Sequence, residues 1–303
     1  MIKRTICIST PCLLRCQDEQ MLVQYDHVKG YENIPTKSVP IEDIGMLVLE
    51  HQQITVTQYL LNKLVENNAA VITCNGTMHP TGMLLSLEGN TIQSERFRAQ
   101  IEATEPLKKQ LWQQTVQAKI SNQAAVLDQW HINNSRLNTL KKNVKSGDSE
   151  NYEAQAAGYY WKNLFPEGWL FFRKREGPPP NNLLNYGYAI LRAMVARAVV
   201  GSGLLPTLGI FHRNRYNAYC LADDIMEPYR PFVDVIVRSI IDETSVVDVL
   251  TQPLKAKLLN LPTVDVVIDG NKSPLMVATQ RTAASLAKCF MGEQRKILYP
   301  EFV

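Results

Sequence analysis

The 303-residue sequence predicts an α+β chain in two parts. A small β-rich, sandwich-like domain spans residues 1–76, a linker spans 77–90, and a larger all-α domain spans 91–303. Three observations carry this. Before Gly76 the apolar residues come in short β-branched runs separated by polar turns. From about Thr91 they recur with helical period. Between the two, Met78 to Asn90 (MHPTGMLLSLEGN) holds Pro80, Gly82 and Gly89 with little periodicity, the composition of an interdomain connection.

In the first part, residues 3–9 (KRTICIS), 12–16 (CLLRC) and 20–25 (QMLVQY) read as strands parted by turns such as Gln17-Asp18-Glu19. Residues 39–42 and 45–50 (GMLVLE) add two more. Over 55–67 the period changes: Val56, Leu60, Leu61, Leu64 and Val65 fall on one helical face. Residues 69–73 (AAVIT) return to a buried strand, closed by Asn75-Gly76. His27, His51 and His79 are isolated from any carboxylate partner and read as packing or surface residues.

In the second part a long helical pattern runs over 93–120, with Glu105-Pro106 marking a break. Lys119, Asn122 and Gln123 can face DNA phosphates or serve helix packing, and their spacing does not choose. Residues 141–150 (KKNVKSGDSE) form a polar loop in which Asp148 or Ser149 caps a helix over 151–164. Glu153 then lies in a first turn, where acids are common for dipole reasons alone. Arg173, Lys174 and Arg175, between aromatics and three prolines, are DNA-phosphate candidates or a solvated loop. Helices follow over 181–203, 233–241, 252–257 and 277–290, and residues 292–303 read as a loosely ordered tail or a partner contact.

Composition narrows the class. Charged residues are 20% and the hydrophobic set 45%, which excludes a mainly disordered chain. Net charge is only +3, but residues 1–76 hold six Lys/Arg against eight Asp/Glu, a net of −2, leaving +5 on the remainder. Cys7, Cys12, Cys16, Cys74, Cys220 and Cys289 contain no CxxC pair, so free thiols in a reducing compartment are expected rather than a zinc ribbon. Lys3-Arg4 before ICISTPCLL lacks a small-residue cleavage site and does not read as a signal peptide. The apolar stretch 188–205 carries Arg192 and Arg197 and does not read as a membrane span. A soluble, cytoplasmic protein is expected.

The stretch with the most chemistry is 209–231, GIFHRNRYNAYCLADDIMEPYRP. His212 precedes Asp224 and Glu227, which are three residues apart and share a face if ADDIM opens a helix. Pro228 and Pro231 then interrupt that helix just past Glu227. An imidazole with carboxylates suits Mn2+, or Mg2+ with waters completing its shell. The same residues also make an ordinary acidic helix start beside a loop histidine.

The wording of that stretch, a histidine, eleven residues and then DIMEPYRP, resembles the CRISPR-associated integrase family, the first of the Cas proteins. Four further phrases match in order: IPTKSVPIEDIGMLVLEHQQITVTQYLLNKLVENNAAVITCN, the K-I-x-N-Q core of 112–127, the E-x-x-A-A-x-x-Y-W run from Glu153, and N-x-x-L-N-Y-G-Y-A-I-L from Asn181. The resemblance implies a metal triad of Glu153, His212 and Glu227, with Asp224 in support. Arg213 and Arg215 beside His212, with Lys119 and the basic loop 173–175, would counter DNA phosphate charge. It further implies a Mg2+- or Mn2+-dependent DNA endonuclease and integrase that joins short DNA fragments to a CRISPR array by 3′-hydroxyl transesterification. A homodimer built by the N-terminal domain and a small ferredoxin-fold partner belong to the same expectation. Length and the lack of a fused domain resemble the compact form of type II systems. A stand-alone metal nuclease on branched DNA and a catalytically silent DNA-binding scaffold are the competing readings.

Overall fold

The computed structural model describes residues 3–25, 30, 33–166, 169, 171–174, 176–244 and 246–303. The chain divides into two compact units, Met1–Gly89 and Asn90–Val303. The first is rich in strands and the second in helices, the α+β division expected.

The first unit runs β1 (Arg4–Ile8), β2 (Cys12–Gln17), β3 (Gln20–Gln24), β4 (Lys37–Pro40), β5 (Ile44–Leu49), β6 (Ile54–Val56), α1 (Gln58–Glu66), β7 (Ala70–Cys74) and β8 (Pro80–Leu84). Two four-stranded sheets result, ordered β1-β5-β7-β8 and β4-β3-β2-β6. β5 pairs parallel with β1 and β7 on either side and is buried along nearly its whole length, as a strand covered on both faces must be. α1 starts where the Thr57 hydroxyl accepts from the Leu60 amide, and it buries Leu60 and Leu64 at i, i+4. Those two leucines join Leu14, Met21, Val23, Ile41, Leu47 and Val71 in one apolar core. Pro80–Leu84, inside the stretch read as a linker, forms the edge strand β8, antiparallel to β7. An edge tolerates Pro80 and Gly82, which a central strand would not.

The second unit contains α2 (Gln93–Ile101), α3 (Glu105–Gln129), α4 (Ser135–Asn143), α5 (Tyr152–Leu164), α6 (Asn181–Gly201), α7 (Cys220–Met226), α8 (Arg230–Glu243), α9 (Gln252–Leu259), β9 (Asp265–Ile268), β10 (Asn271–Pro274) and α10 (Leu275–Phe290). The break expected at Glu105-Pro106 separates α2 from α3, whose first turn holds Pro106 and is capped by Thr104. α6 is apolar enough to cross a bilayer by composition, yet it is buried among the other helices. At Gly187 it passes so close to α8 that a Cβ would stand 2.4 Å from Val233 Cγ1.

Two features depart from the expected pattern. A hairpin, β9–β10, interrupts the helices, turning at Asp269-Gly270 with φ of 51° and 71°. The tail after α10 is anchored rather than loose. Ile297 donates to Gln114 Oε1, the Tyr299 hydroxyl meets Thr115 Oγ1 at 2.7 Å, and Phe302 stacks on Phe232 at 4.1 Å. Backbone bonds between Glu301 and Val267 attach the tail to the hairpin.

Candidate active site

Each of the three candidate ligands is placed by a different local device. Glu153 stands in the first turn of α5, where the buried Asp148 carboxylate accepts the amides of Tyr152 and Glu153, both at 2.9 Å. That bond satisfies two of the unpaired N–H groups at the helix start and fixes the direction in which Glu153 leaves the helix. Glu227 sits where α7 ends. Pro228 and Pro231 prevent a continuous helix, so a 3-10 turn over Glu227–Tyr229 links α7 to α8. Asn122 on α3 holds that turn by donating to the Pro228 carbonyl at 2.7 Å, and it reaches the Pro300 carbonyl of the tail at 3.0 Å.

His212 lies on the loop before α7. The Asp224 side chain is fully buried and receives the Phe211 amide at 2.9 Å, the His212 amide at 3.2 Å and the His212 Nδ1 at 2.5 Å. Gly209 makes this closure possible, because a Cβ there would stand 2.5 Å from the His212 carbonyl and 2.6 Å from Asp224 Oδ2. Upstream, Gln100 on α2 donates to the Leu205 and Leu208 carbonyls and accepts from the Leu205 amide, fixing the approach of the loop. Trp112 on α3 closes the other side, stacked on Phe211 at 4.2 Å and edge-on to His212 at 5.8 Å.

Asp224 and Glu227 therefore do not share one partner, although the i, i+3 spacing allowed it. Asp224 is committed to the His212 loop, and Glu227 turns toward α3 and α5. There the Lys119 Nζ lies 2.5 Å from Glu153 Oε1 and 2.5 Å from Glu227 Oε2. The two carboxylate oxygens are thus no farther apart than twice that distance. Arg230 Nε takes the other Glu227 oxygen at 2.8 Å, and its guanidinium stacks over Tyr188 at 4.7 Å.

Charge follows from this geometry. Burial alone would push the Glu227 carboxyl up, but Arg230 and Lys119 outweigh it and hold the group down at about 2. Burial likewise opposes the charge on Lys119, and Glu227 and Glu153 raise its proton affinity regardless. The hydrogen bond that His212 Nδ1 donates to Asp224 raises the proton affinity of the imidazole against partial burial, with the nearby acid charges acting in the same direction.

The basic candidates have separate fates. Lys119 is not a surface phosphate contact but a buried ion-pair partner between the two glutamates. Arg173 is half-buried, donates to Asn181 and Asn185 at 2.8 Å each, and lies over Tyr188. Lys174 is exposed, and Arg175 lies outside the described residues. Arg213 reaches Glu105 at 2.6 Å, Arg215 stacks on Tyr216, and both line a pocket of about 470 Å3 together with His212. Arg230 was not singled out from the sequence, although its i, i+3 spacing from Glu227 was readable.

Among the described residues no three His, Cys, Asp or Glu side chains are placed as a ready-made metal cluster. The donor set nevertheless fits a divalent ion on two counts. Glu227 Oε2 is buried and faces the Lys119 ammonium at 2.5 Å, so the position against it already takes a cation. Asp224 holds His212 by Nδ1, the carboxylate–imidazole arrangement that orients a metal-binding histidine and leaves Nε2 as the ligand atom.

Comparison with known proteins adds to this picture. A family profile described as "CRISPR associated protein Cas1" matches residues 6–260. The chain is 36% identical to the CRISPR-associated endonuclease Cas1 of Neisseria meningitidis serogroup C (strain 8013), over 94% of this chain and 91% of that protein. Its fold is similar to a chain in a structure described as "Casposase bound to integration product", at 20% identity and a TM-score of 0.79, covering 97% of this chain and 92% of the other. It is also similar to a chain in a "Cas6-RT-Cas1--Cas2 complex", at 21% identity and a TM-score of 0.71, covering 97% of this chain and 36% of the other.

Proposed function

Because the chain belongs to the CRISPR-associated Cas1 family, we propose that it is a metal-dependent DNA endonuclease and integrase that joins short DNA fragments to a CRISPR array. The observation that carries this reading is the convergence of Glu153 and Glu227 on one point, the Lys119 ammonium. Glu153, the His212 Nε2 and Glu227 would hold Mg2+ or Mn2+, which when bound supplies Lewis-acid polarisation of a phosphodiester and orients an oxygen nucleophile. Asp224 keeps the His212 ring in one tautomer and orientation by accepting from Nδ1. Arg230 holds Glu227 ionised, and Trp112 restricts the ring from the other side. Arg213 and Arg215 face the pocket beside His212 and would counter the charge of a DNA backbone lying there. With a DNA 3′-hydroxyl as nucleophile the product is joined DNA; with water it is cut DNA.

The named relative is an endonuclease, and one chain of similar fold comes from a complex with Cas2. The first supports action on double-stranded DNA, and the second supports a role beside a small partner, which the family resemblance gives a ferredoxin fold. A homodimer, a cytoplasmic location and the compact type II form complete the proposal. The test is strand transfer on a repeat-containing duplex together with Mn2+ calorimetry. Glu153→Gln, His212→Ala and Glu227→Gln should each keep the fold, lose ion binding and lose joined product. Integration at the wild-type rate by any one of them would remove that residue from the triad, and cut but never joined DNA from the unaltered chain would favour the stand-alone nuclease.

A further inference from the structure

The cation between Glu153 and Glu227 in this structure is the chain's own. Lys119 Nζ makes equal contacts of 2.5 Å with Glu153 Oε1 and Glu227 Oε2, and the lysine is 8% exposed. Two carboxylates held this close raise each other's energy unless a positive charge lies between them. Arg230 neutralises only the far oxygen of Glu227 and is committed there by its stack on Tyr188. The charge between the two acids therefore comes from Lys119.

We propose that Lys119 is a built-in counter-ion of the active site, its ammonium holding Glu153 and Glu227 together at the position a divalent ion takes, so that the ion binds by displacing the lysine. This rests on the metal-site reading above. An oxygen-ligated Mg2+ sits about 2.0–2.1 Å from each ligand, so an ammonium nitrogen touching both oxygens and an ion touching both oxygens compete for one place. The lysine is suited to leaving. Its four-carbon stem is flexible, unlike the planar fork of Arg230, so it can withdraw by rotamer changes once its bond to Glu153 Oε1 is given up. The small pocket of about 160 Å3 that Lys119 lines holds Gln123 and Asp234 but also the guanidiniums of Arg173 and Arg230, so a displaced ammonium would have to leave past two like charges.

Lys119 is thus a positioning residue: it keeps two ligands pre-set in the ion's absence and sets a threshold for the ion's entry. If the site with the lysine withdrawn is about a tenth of the metal-free population or less, the apparent Kd is about tenfold or more weaker than that of the open site. Lys119→Met keeps the stem and removes the charge. Calorimetry with MnCl2 should then show the apparent Kd falling about tenfold or more relative to wild type. The metal-free thermal midpoint should drop, and saturating Mn2+ should recover it. A lower midpoint with an unchanged or weaker Kd would overturn the proposal, since a purely structural lysine gives that result. Absence of ion binding in wild type, Lys119→Met and Glu153→Gln alike would instead reject the metal site itself, and this inference with it. Should Lys119→Met fail to fold, crystals of the unaltered chain with and without Mn2+ decide. Nζ should leave both carboxylates when the ion is bound, and retention of both contacts beside a bound ion would refute the displacement.

Discussion

Asp234→Asn should abolish a pH-dependent loss of stability that the wild-type chain carries between pH 5 and pH 8. Asp234 lies on α8, is 1% exposed, and receives the Tyr188 hydroxyl at 2.5 Å and the Tyr160 hydroxyl at 3.0 Å. Burial pushes its carboxyl from 3.8 up to about 7, against the pull of the two tyrosines, Arg230 and Arg173. In the unfolded chain the same group titrates near its ordinary value. Between those two values the folded protein keeps a proton that the unfolded chain has released, so stability falls as pH rises. Each pH unit well inside that window costs about 1.4 kcal/mol, so the loss is about 2 kcal/mol from pH 5 to pH 7 and approaches about 3 kcal/mol by pH 8, where it levels off. Asparagine has the same shape and can accept from a tyrosine, but it does not titrate. The difference in unfolding free energy between variant and wild type should thus shift by about 3 kcal/mol toward the variant over that range, other groups cancelling. Urea denaturation followed by intrinsic fluorescence reads the helical unit selectively, because Trp112, Trp130, Trp161 and Trp169 all lie within it. A difference that stays flat from pH 5 to pH 8 would show that Asp234 is ionised throughout and that its environment stabilises the charge.

Asp224→Ala should weaken Mn2+ binding by about 10–100-fold, as loss of the group orienting a ligand histidine generally does. In the same variant the His212 ring should titrate at lower pH by NMR than in wild type, since the Asp224 hydrogen bond is the main reason its proton affinity is raised. Gly209→Ala places a methyl 2.5 Å from the His212 carbonyl and 2.6 Å from Asp224 Oδ2. It should displace the loop, costing about 1–3 kcal/mol by denaturation and weakening ion binding in parallel. Asp148→Ala removes the acceptor for two amides at the start of α5. A loss of about 0.5–2 kcal/mol is expected, with wild-type stability counting against Asp148 as the anchor of Glu153.

The parts of the fold that were legible are those whose pattern is local. α1, α5, α6 and α10 announce themselves by helical spacing, and β1, β2, β3, β5 and β7 by short β-branched runs. The parts that were not legible owe their state to neighbours. β6 is three residues long and exists because β2 offers it a parallel edge. β8 holds a proline and a glycine, and only its edge position lets it pair. The β9–β10 hairpin is a different case: Asp269-Gly270 between Val-Val-Ile and Lys-Ser-Pro is a readable turn signal that was overlooked among the helices. Of the candidate site, Glu153, His212 and Glu227 are proposed from the phrases that resemble the family, and the interruption of the helix past Glu227 follows from Pro228 and Pro231. Lys119 could not be assigned, because the face of a 25-residue helix that meets two distant acids is set by packing.

The charges of the site explain why so many of them can be buried at once. Glu153, Glu227, Asp224 and Asp234 are interleaved with Lys119, Arg230, His212 and Arg173, and each acid has a different kind of partner. Asp224 is held by backbone amides and an imidazole, so the loop geometry depends on it. Asp234 is held by two tyrosine hydroxyls, and burial raises its proton affinity, so below about pH 7 it sits deep without a full counter-charge. Glu153 and Glu227 are the pair joined by one flexible ammonium. Removing Asp224 or Asp234 should therefore disturb the framework whether or not an ion is present. Removing charge at Lys119 should disturb it only in the ion's absence, a contrast that separates the part of the network that holds the fold from the part arranged to receive a cation.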